Sequence, residues 1–381
     1  VSPPRGPGHN LGLDIVRAAA ILAVLFSHAA DWFMGAGRGT DIRAAYIGGA
    51  GVEAFFSLSG FLIGTILLRT LDQGLTVPAL LQFWTRRWMR TLPAYWVLIA
   101  SMCWWFGVMD WRSPVFLQSF VPKTQWAPLT PHTWSLVLEE WFYLFVPPLV
   151  LLGSRALPKR WVVPGVVALL FVVCTGLRLS AYGHPNPALW GDDPTINPVL
   201  RLDCAAWGLL AAWIMWRRQA AGANTGLGRG WAWSLLVGGC ALLLVLGVVF
   251  ELSFTPERLV PFGFLHWMLA WSALRTSLIE FAAMCLLLGL STLLPRGTGP
   301  VAMLAGAIAR LSYALYLVHV PVIYLGRLYG LDDASGWPVR IEISLIVLAT
   351  AIAMRVLVER PVLMVRDWLV PKETRSIRQT L

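Results

Sequence analysis

The sequence predicts an all-α, polytopic membrane protein with about ten transmembrane helices around a polar channel. Composition is the first observation: of 381 residues, 57% are hydrophobic and 13% charged, and mean hydropathy is +0.66, outside ordinary soluble usage. The second is that several stretches approach or exceed the ~18–20 apolar residues needed to cross a ~30 Å hydrocarbon core as helix. The third is that ionisable residues recur inside those stretches, where lipid makes them costly unless they face a partner or a polar cavity. No ten-residue alternating pattern points to a barrel.

Candidate spans fall at 12–34, 46–68, 88–107, 134–153, 161–180, 199–216, 231–250, 275–294, 302–326 and 341–358. The stretch 261–273, PFGFLHWMLAWSA, is apolar but too short to cross alone, so it reads as interfacial, re-entrant or an extension of the eighth span. Residues 1–11 read as a disordered cytoplasmic tail, 12–365 as the membrane domain and 366–381 as a basic cytoplasmic tail. The first apolar stretch lacks a small-residue cleavage site and is expected to stay as an anchor.

The net charge of +10 is scattered at span ends and does not form one basic tract, which argues against a nucleic-acid partner and for membrane topology. With the amino terminus cytoplasmic, that side collects Arg69, Arg86, Arg87, Arg90, Arg155, Lys159, Arg160, Arg217, Arg218 and Arg229, and the opposite side far fewer. Both termini then lie inside. Cys103, Cys174, Cys204, Cys240 and Cys285 are widely separated, with no metal-ligand spacing; they read as buried thiols, and no metal site is expected.

Chemistry concentrates first on LGLDIVRAAAILAVLFSHAADWF, where Arg17 and His28 stand eleven residues apart. That is ~16 Å of helix rise and close to three turns, so both side chains lie near one face. Helix rise also places His28, Glu53, Glu139 and His319, from four different spans, in one layer near the outer face. Arg17 belongs with Arg86, Arg87 and Arg90 near the cytoplasmic side. Arginines at one end and histidine with carboxylate at the other predict a passage with anion recognition below and proton chemistry above.

LDIVRAAAILAVLFSH, GAGVEAFFSLSGFLIG, FWTRRWMRTLPAYW, TWSLVLEEWFYL, RLDCAAWGLLAA, LSYALYLVHVPVI and VERPVL together resemble the acyltransferase-3 family of polytopic membrane O-acyltransferases, in the family's order and over nearly the whole chain. The departures are Ala18 after the arginine and Trp141 where glutamine is common. The esterase-like domain fused to some relatives is absent from this sequence. The resemblance makes 12–365 a membrane acyltransferase domain in a bacterial cytoplasmic membrane. It implies acyl-CoA, most often acetyl-CoA, as donor and a hydroxyl, usually on a sugar, as acceptor.

Residue chemistry fits this. Arg17, Arg87 and Arg90 are candidates for the donor phosphates, because guanidinium forks match phosphate oxygens. Arg86 reads as a topology charge. His28 is the candidate general base, since an alcohol needs deprotonation to attack a thioester. Glu139 is expected to orient its ring, with a salt bridge to Arg87, Arg201 or Arg178 as the alternative. Glu140 lies 100° round the helix and faces elsewhere. Glu53, Trp134 and His319 are candidate acceptor contacts, His319 equally as a helix-packing hydrogen bonder. Ser57 and Ser59 are acyl acceptors in a two-step route or packing hydroxyls. The expected acceptor is an envelope polysaccharide or its lipid-linked precursor, with a macrolide-like natural product second. A glycolipid or anion transporter is the competing class; the matched broken helices in two halves that would support it are not seen.

Overall fold

The structure is a computed structural model that describes residues 10–33, 42–121, 126–128, 130–183, 194–222, 227–253, 264–329 and 336–370. Among these residues there is no strand. The helices are α1 (Leu11–Phe33), α2 (Ile42–Asp72), α3 (Val77–Phe106), α4 (Trp134–Ala156), α5 (Lys159–Gly183), α6 (Ala206–Ala220), α7 (Arg229–Ser253), α8 (Phe264–Leu293), α9 (Pro300–Leu328), α10 (Gly336–Met354) and α11 (Arg360–Leu369). A π-helical turn over Arg355–Glu359 joins the last two.

Each candidate span overlaps a helix, although 199–205 of the sixth are turns ahead of α6, and eight helices among the described residues are long and apolar enough to cross a membrane, the last running Pro338–Leu369. The other two candidates are α3 and α6. Helix α3 is long enough, yet Arg86, Arg87 and Arg90 interrupt its apolar run. Helix α6 has 15 residues, a rise of ~22 Å against a core of ~30 Å. The apolar stretch before the eighth span resolves as an extension: 264–273 continue into α8, while 261–263 lie outside the described residues. Both expected tails lie largely outside them too, although 366–369 are still helical.

Local sequence explains where helices start and stop. Thr76 caps α3 by accepting the Ala79 N–H, and Pro78 follows where its missing N–H costs nothing. Gly107, at φ 63°, ends the helix in the left-handed region.

Helix α1 packs on α2, α8 and α9, and α2 also packs on α4, α6 and α8. Small residues permit the closest crossings, as in other membrane bundles. A Cβ at Gly208 of α6 would stand 1.9 Å from the Ser57 carbonyl oxygen of α2, and one at Gly51 of α2 would stand 2.7 Å from the Ala20 carbonyl oxygen of α1.

A buried ionic cluster ties the far side of α2. Arg201, 1% exposed, donates through Nη2 to both Glu53 oxygens at 3.0 and 2.9 Å and to Glu280 at 3.1 Å. Arg178 of α5 holds Asp203 in a two-pronged pair at 2.7 and 2.8 Å. This corrects the reading of Glu53 as an acceptor contact. Its depth was inferred from helix rise, but its face of α2 turns toward Arg201, away from the site.

The connection between α3 and α4 is built over the bundle end. Asp110 accepts the backbone N–H groups of Arg112, Ser113 and Ala127 at 3.0, 3.3 and 3.1 Å. Tyr95 donates to the Ser113 carbonyl at 2.8 Å, and the Trp141 indole to the Phe116 carbonyl at 3.1 Å.

Candidate active site

Two adjoining cavities lie among α1, α2, α4 and α9, the first of them also lined by α3. Arg17, Ser59, Arg87, Arg90, Glu139 and Tyr143 mark the first, of about 100 Å³. Ser27, His28, Gly48, His132, Trp134 and Arg327 mark the second, of about 330 Å³. The linings divide along each helix: α1 gives Arg17 to the first and Ser27 and His28 to the second, and α4 gives Ser135 to the first and Trp134 to the second. On α2 and α9 the changes come at Val52 and Tyr316, which line both cavities.

The arginine cavity brings together the three expected arginines and Glu139. Its charged lining is three guanidinium groups against one carboxylate, a net of two positive charges. Arg87 is held in a direct ion pair. Its Nη2 donates to Glu139 Oε1 at 2.7 Å and to the Tyr143 hydroxyl at 2.6 Å, and its guanidinium carbon lies 4.2 Å from the Tyr143 ring centre. Tyr143 and Ser59 donate to the same Glu139 oxygen, Ser59 at 2.6 Å. Arg17 and Arg90 make no hydrogen bond or ion pair with other described residues. Asp14, buried in the first turn of α1, is within electrostatic range of Arg17. Two unmatched guanidinium groups lining one cavity suit an anion with several oxygens. Arg86 points out of this group, to Asp367 of α11 at 2.9 Å.

The expected meeting of Glu139 with His28 is therefore corrected. Glu139 belongs to the arginine cavity, where Arg87, Tyr143 and Ser59 occupy it. The salt bridge to Arg87, the alternative for this residue, is what forms. Glu139 follows His132 by seven residues, ~10 Å of rise, so it sits a full cavity deeper than the imidazoles. Glu140 does face elsewhere, buried and accepting from Thr91 at 3.1 Å. Ser57 is a packing hydroxyl, donating to the Glu280 carbonyl at 3.0 Å.

In the histidine cavity, His28 is met by another imidazole. His319 Nδ1 faces the carbonyl oxygens of Leu315 and Tyr316 at 3.1 and 2.7 Å, so in the neutral ring this nitrogen carries the hydrogen. Its Nε2 is then an acceptor, and it faces His28 Nδ1 at 3.4 Å, which also lies 3.0 Å from the Val24 carbonyl oxygen. Both neighbours of His28 Nδ1 are acceptors, so that nitrogen is the donor and Nε2 holds the basic lone pair. His319 is 0% exposed and lies behind His28, which leaves the helix-packing hydrogen bond, and not the acceptor contact, as the reading the geometry fits. Trp134 does line the cavity, half-buried beside His132.

Three residues of the site escaped the sequence reading. His132 is buried in the 3-10 turn before α4, its Nε2 donating to the Leu317 carbonyl at 3.1 Å and its ring centre 5.1 Å from that of His319. The span was drawn from Trp134, so the turn ahead of it was passed over. Tyr316 sits at the wall between the cavities, and Arg327 lines the histidine cavity with its guanidinium carbon 5.7 Å from the Tyr324 ring centre. Tyr316 stands in the middle of α9 and Arg327 in its last turn, and neither is marked as a site residue by its own stretch of sequence. Among the described residues no group of histidine, cysteine or carboxylate side chains is placed to hold a metal ion.

Eight helices long and apolar enough to cross a membrane, packed around a cationic cavity and an imidazole cavity, define a multi-pass membrane protein. The chain belongs to the acyltransferase-3 family, whose model, described as an acyltransferase domain, matches residues 10–358. It is similar to the "Peptidoglycan O-acetyltransferase OatA" of Listeria monocytogenes, 29% identical over 48% of this chain and 30% of the relative. The "Putative peptidoglycan O-acetyltransferase YrhL" of Bacillus subtilis is 29% identical over 54% of this chain and 34% of its own length. A Staphylococcus aureus protein, described as a "Putative O-acetyltransferase", is 27% identical over 50% and 33%. The chain thus spans about a third of the length of these relatives. No solved structure matches it.

Proposed function

We propose that this chain transfers an acyl group, most simply acetyl, from acyl-CoA to a sugar hydroxyl of a cell-envelope polymer or its lipid-linked precursor. One observation carries the reading: a cavity lined by Arg17 and Arg90, neither of them hydrogen-bonded or ion-paired to another described residue, lies against the cavity that holds His28, with Val52 and Tyr316 in both linings. The arginines hold the donor's phosphates, and the pantetheine arm covers the ~16 Å of α1 rise to the histidine level. The family match and relatives named for peptidoglycan O-acetylation support a glycan acceptor.

In the reaction, His28 Nε2 takes the proton of the acceptor hydroxyl as its oxygen bonds to the thioester carbonyl carbon. Collapse of the tetrahedral intermediate breaks the carbon–sulfur bond, and the imidazolium returns the proton to sulfur. The products are the O-acyl sugar and free thiol. Such a route delivers an acyl group to the far side of the membrane while the nucleotide stays at the arginine end, in the cytoplasm of an inner-membrane protein.

The test is purified protein in lipid discs with labelled acetyl-CoA and soluble glycan fragments, reading transfer and slow thioester hydrolysis. His28→Ala abolishes both while desulfo-coenzyme A still binds. Full turnover in that variant contradicts the proposal.

A further inference from the structure

From the wall between the cavities we infer that Val52 and Tyr316 form a slot that sets the width of the acyl group this protein transfers. The inference rests on the donor route proposed above and adds a donor specificity to it. Among the described residues these two, one on α2 and one on α9, are common to both cavity linings. An acyl group carried from the arginine end must pass between them to come level with His28.

Both sides of the slot are held. The Tyr316 hydroxyl donates to the His132 carbonyl at 2.6 Å and is bonded to the Ser135 hydroxyl. Its ring is enclosed by Phe55 at 6.4 Å and by His132 and His319 at 5.6 Å each, centre to centre. The side chain is 7% exposed, so swinging it aside breaks two buried hydrogen bonds and collides with packed rings. Val52 is β-branched and has little rotamer freedom on a helix. Its backbone is fixed by Gly48 and Gly51, where α2 lies against α1 with no room for a Cβ.

A slot discriminates by cross-section. A straight acyl chain presents the same width whatever its length, whereas a branch at the carbon next to the carbonyl, or an aromatic ring, presents more. The expected donors are therefore acetyl and propionyl, with isobutyryl and benzoyl excluded. Removing the two Val52 methyl groups makes about the room that the extra isobutyryl methyl needs.

The experiment measures kcat/KM for acetyl-, propionyl-, isobutyryl- and benzoyl-CoA in the wild type, Val52→Ala and Val52→Trp, with adenosine 3′,5′-bisphosphate binding as the check on folding. The wild type should disfavour isobutyryl against propionyl by about tenfold or more, within the roughly 10–200-fold that one methyl group can supply in a tight apolar site. Val52→Ala should raise the isobutyryl-to-propionyl ratio by a similar factor. Val52→Trp should lose turnover of every donor while still binding adenosine 3′,5′-bisphosphate, which carries the phosphates without the arm. Equal use of isobutyryl and propionyl by the wild type, or an unchanged ratio in Val52→Ala, overturns the slot and leaves the acyltransferase reading standing. A wild type that turns over none of the donors, with or without glycan, overturns that reading and the slot with it.

Discussion

His319 Nε2 stands 3.4 Å from His28 Nδ1, with the buried ring of His319 fixed by two backbone carbonyls of its own helix. The consequence is a defined tautomer for the base: the hydrogen on Nδ1 and the lone pair on Nε2. His319→Phe keeps the volume and removes the acceptor. Its expected effect is a fall in kcat of about 10- to 100-fold with the acetyl-CoA KM little changed, because the arginine cavity is untouched. His319→Gln, which keeps an acceptor, should recover part of the loss, as a purely structural role would not require.

Glu139 is the residue on which depth reckoning and geometry disagree most sharply. Were it the partner of His28, Glu139→Gln would mimic loss of the base. Because it neutralises Arg87 in the other cavity, the expected effect falls on donor KM and desulfo-coenzyme A binding, with kcat largely kept. Steady-state kinetics with varied acetyl-CoA separates the two.

Arg17 and Arg90 are expected to carry the phosphate contacts. Each →Gln change should weaken desulfo-coenzyme A binding by about tenfold or more, in line with the ~1.5–3 kcal/mol of a charge-assisted hydrogen bond. Arg86→Gln, whose side chain is turned to Asp367, should change binding much less. Isothermal titration in lipid discs gives the comparison directly, and the wild-type affinity should fall with added salt.

Arg201 holds two buried carboxylates from different helices. Arg201→Met leaves Glu53 and Glu280 buried without their shared cation, and the expected cost is ~3–5 kcal/mol. Thermal unfolding in detergent should show a large drop in midpoint, and Glu280→Gln combined with Arg201→Met should restore part of it.

Much of this architecture was legible in the chain because its signals are local. Apolar run length located a helix at every candidate span, and the Arg17–His28 spacing and the Arg87–Arg90 pair identified one face and one end of a passage. Rise along a helix gives depth. It does not give rotation, which depends on what the helix packs against. Glu53 and His319 were therefore assigned to the site by level, although one turns to Arg201 and the other lies behind His28. Glu139 was taken to share the histidine layer because the span was started at Trp134, without the turn that carries His132. Tyr316 is a long-range result: its role follows from two cavities meeting, which no single stretch encodes. The α3 and α6 stretches show a related limit: apolar content finds the helix, but three arginines in one and 15 residues in the other leave both outside the eight helices long and apolar enough to cross a membrane.

The account stands on the donor lying across both cavities, and the most direct measurement is a cryo-EM structure in lipid discs with a non-hydrolysable ketone analogue of acetyl-CoA. The expected density places the diphosphate against Arg17 and Arg90, the arm between Val52 and Tyr316, and the carbonyl carbon within ~4 Å of the position an attacking hydroxyl takes beside His28 Nε2. A diphosphate bound away from those arginines, or a carbonyl more than ~10 Å from His28, would contradict it.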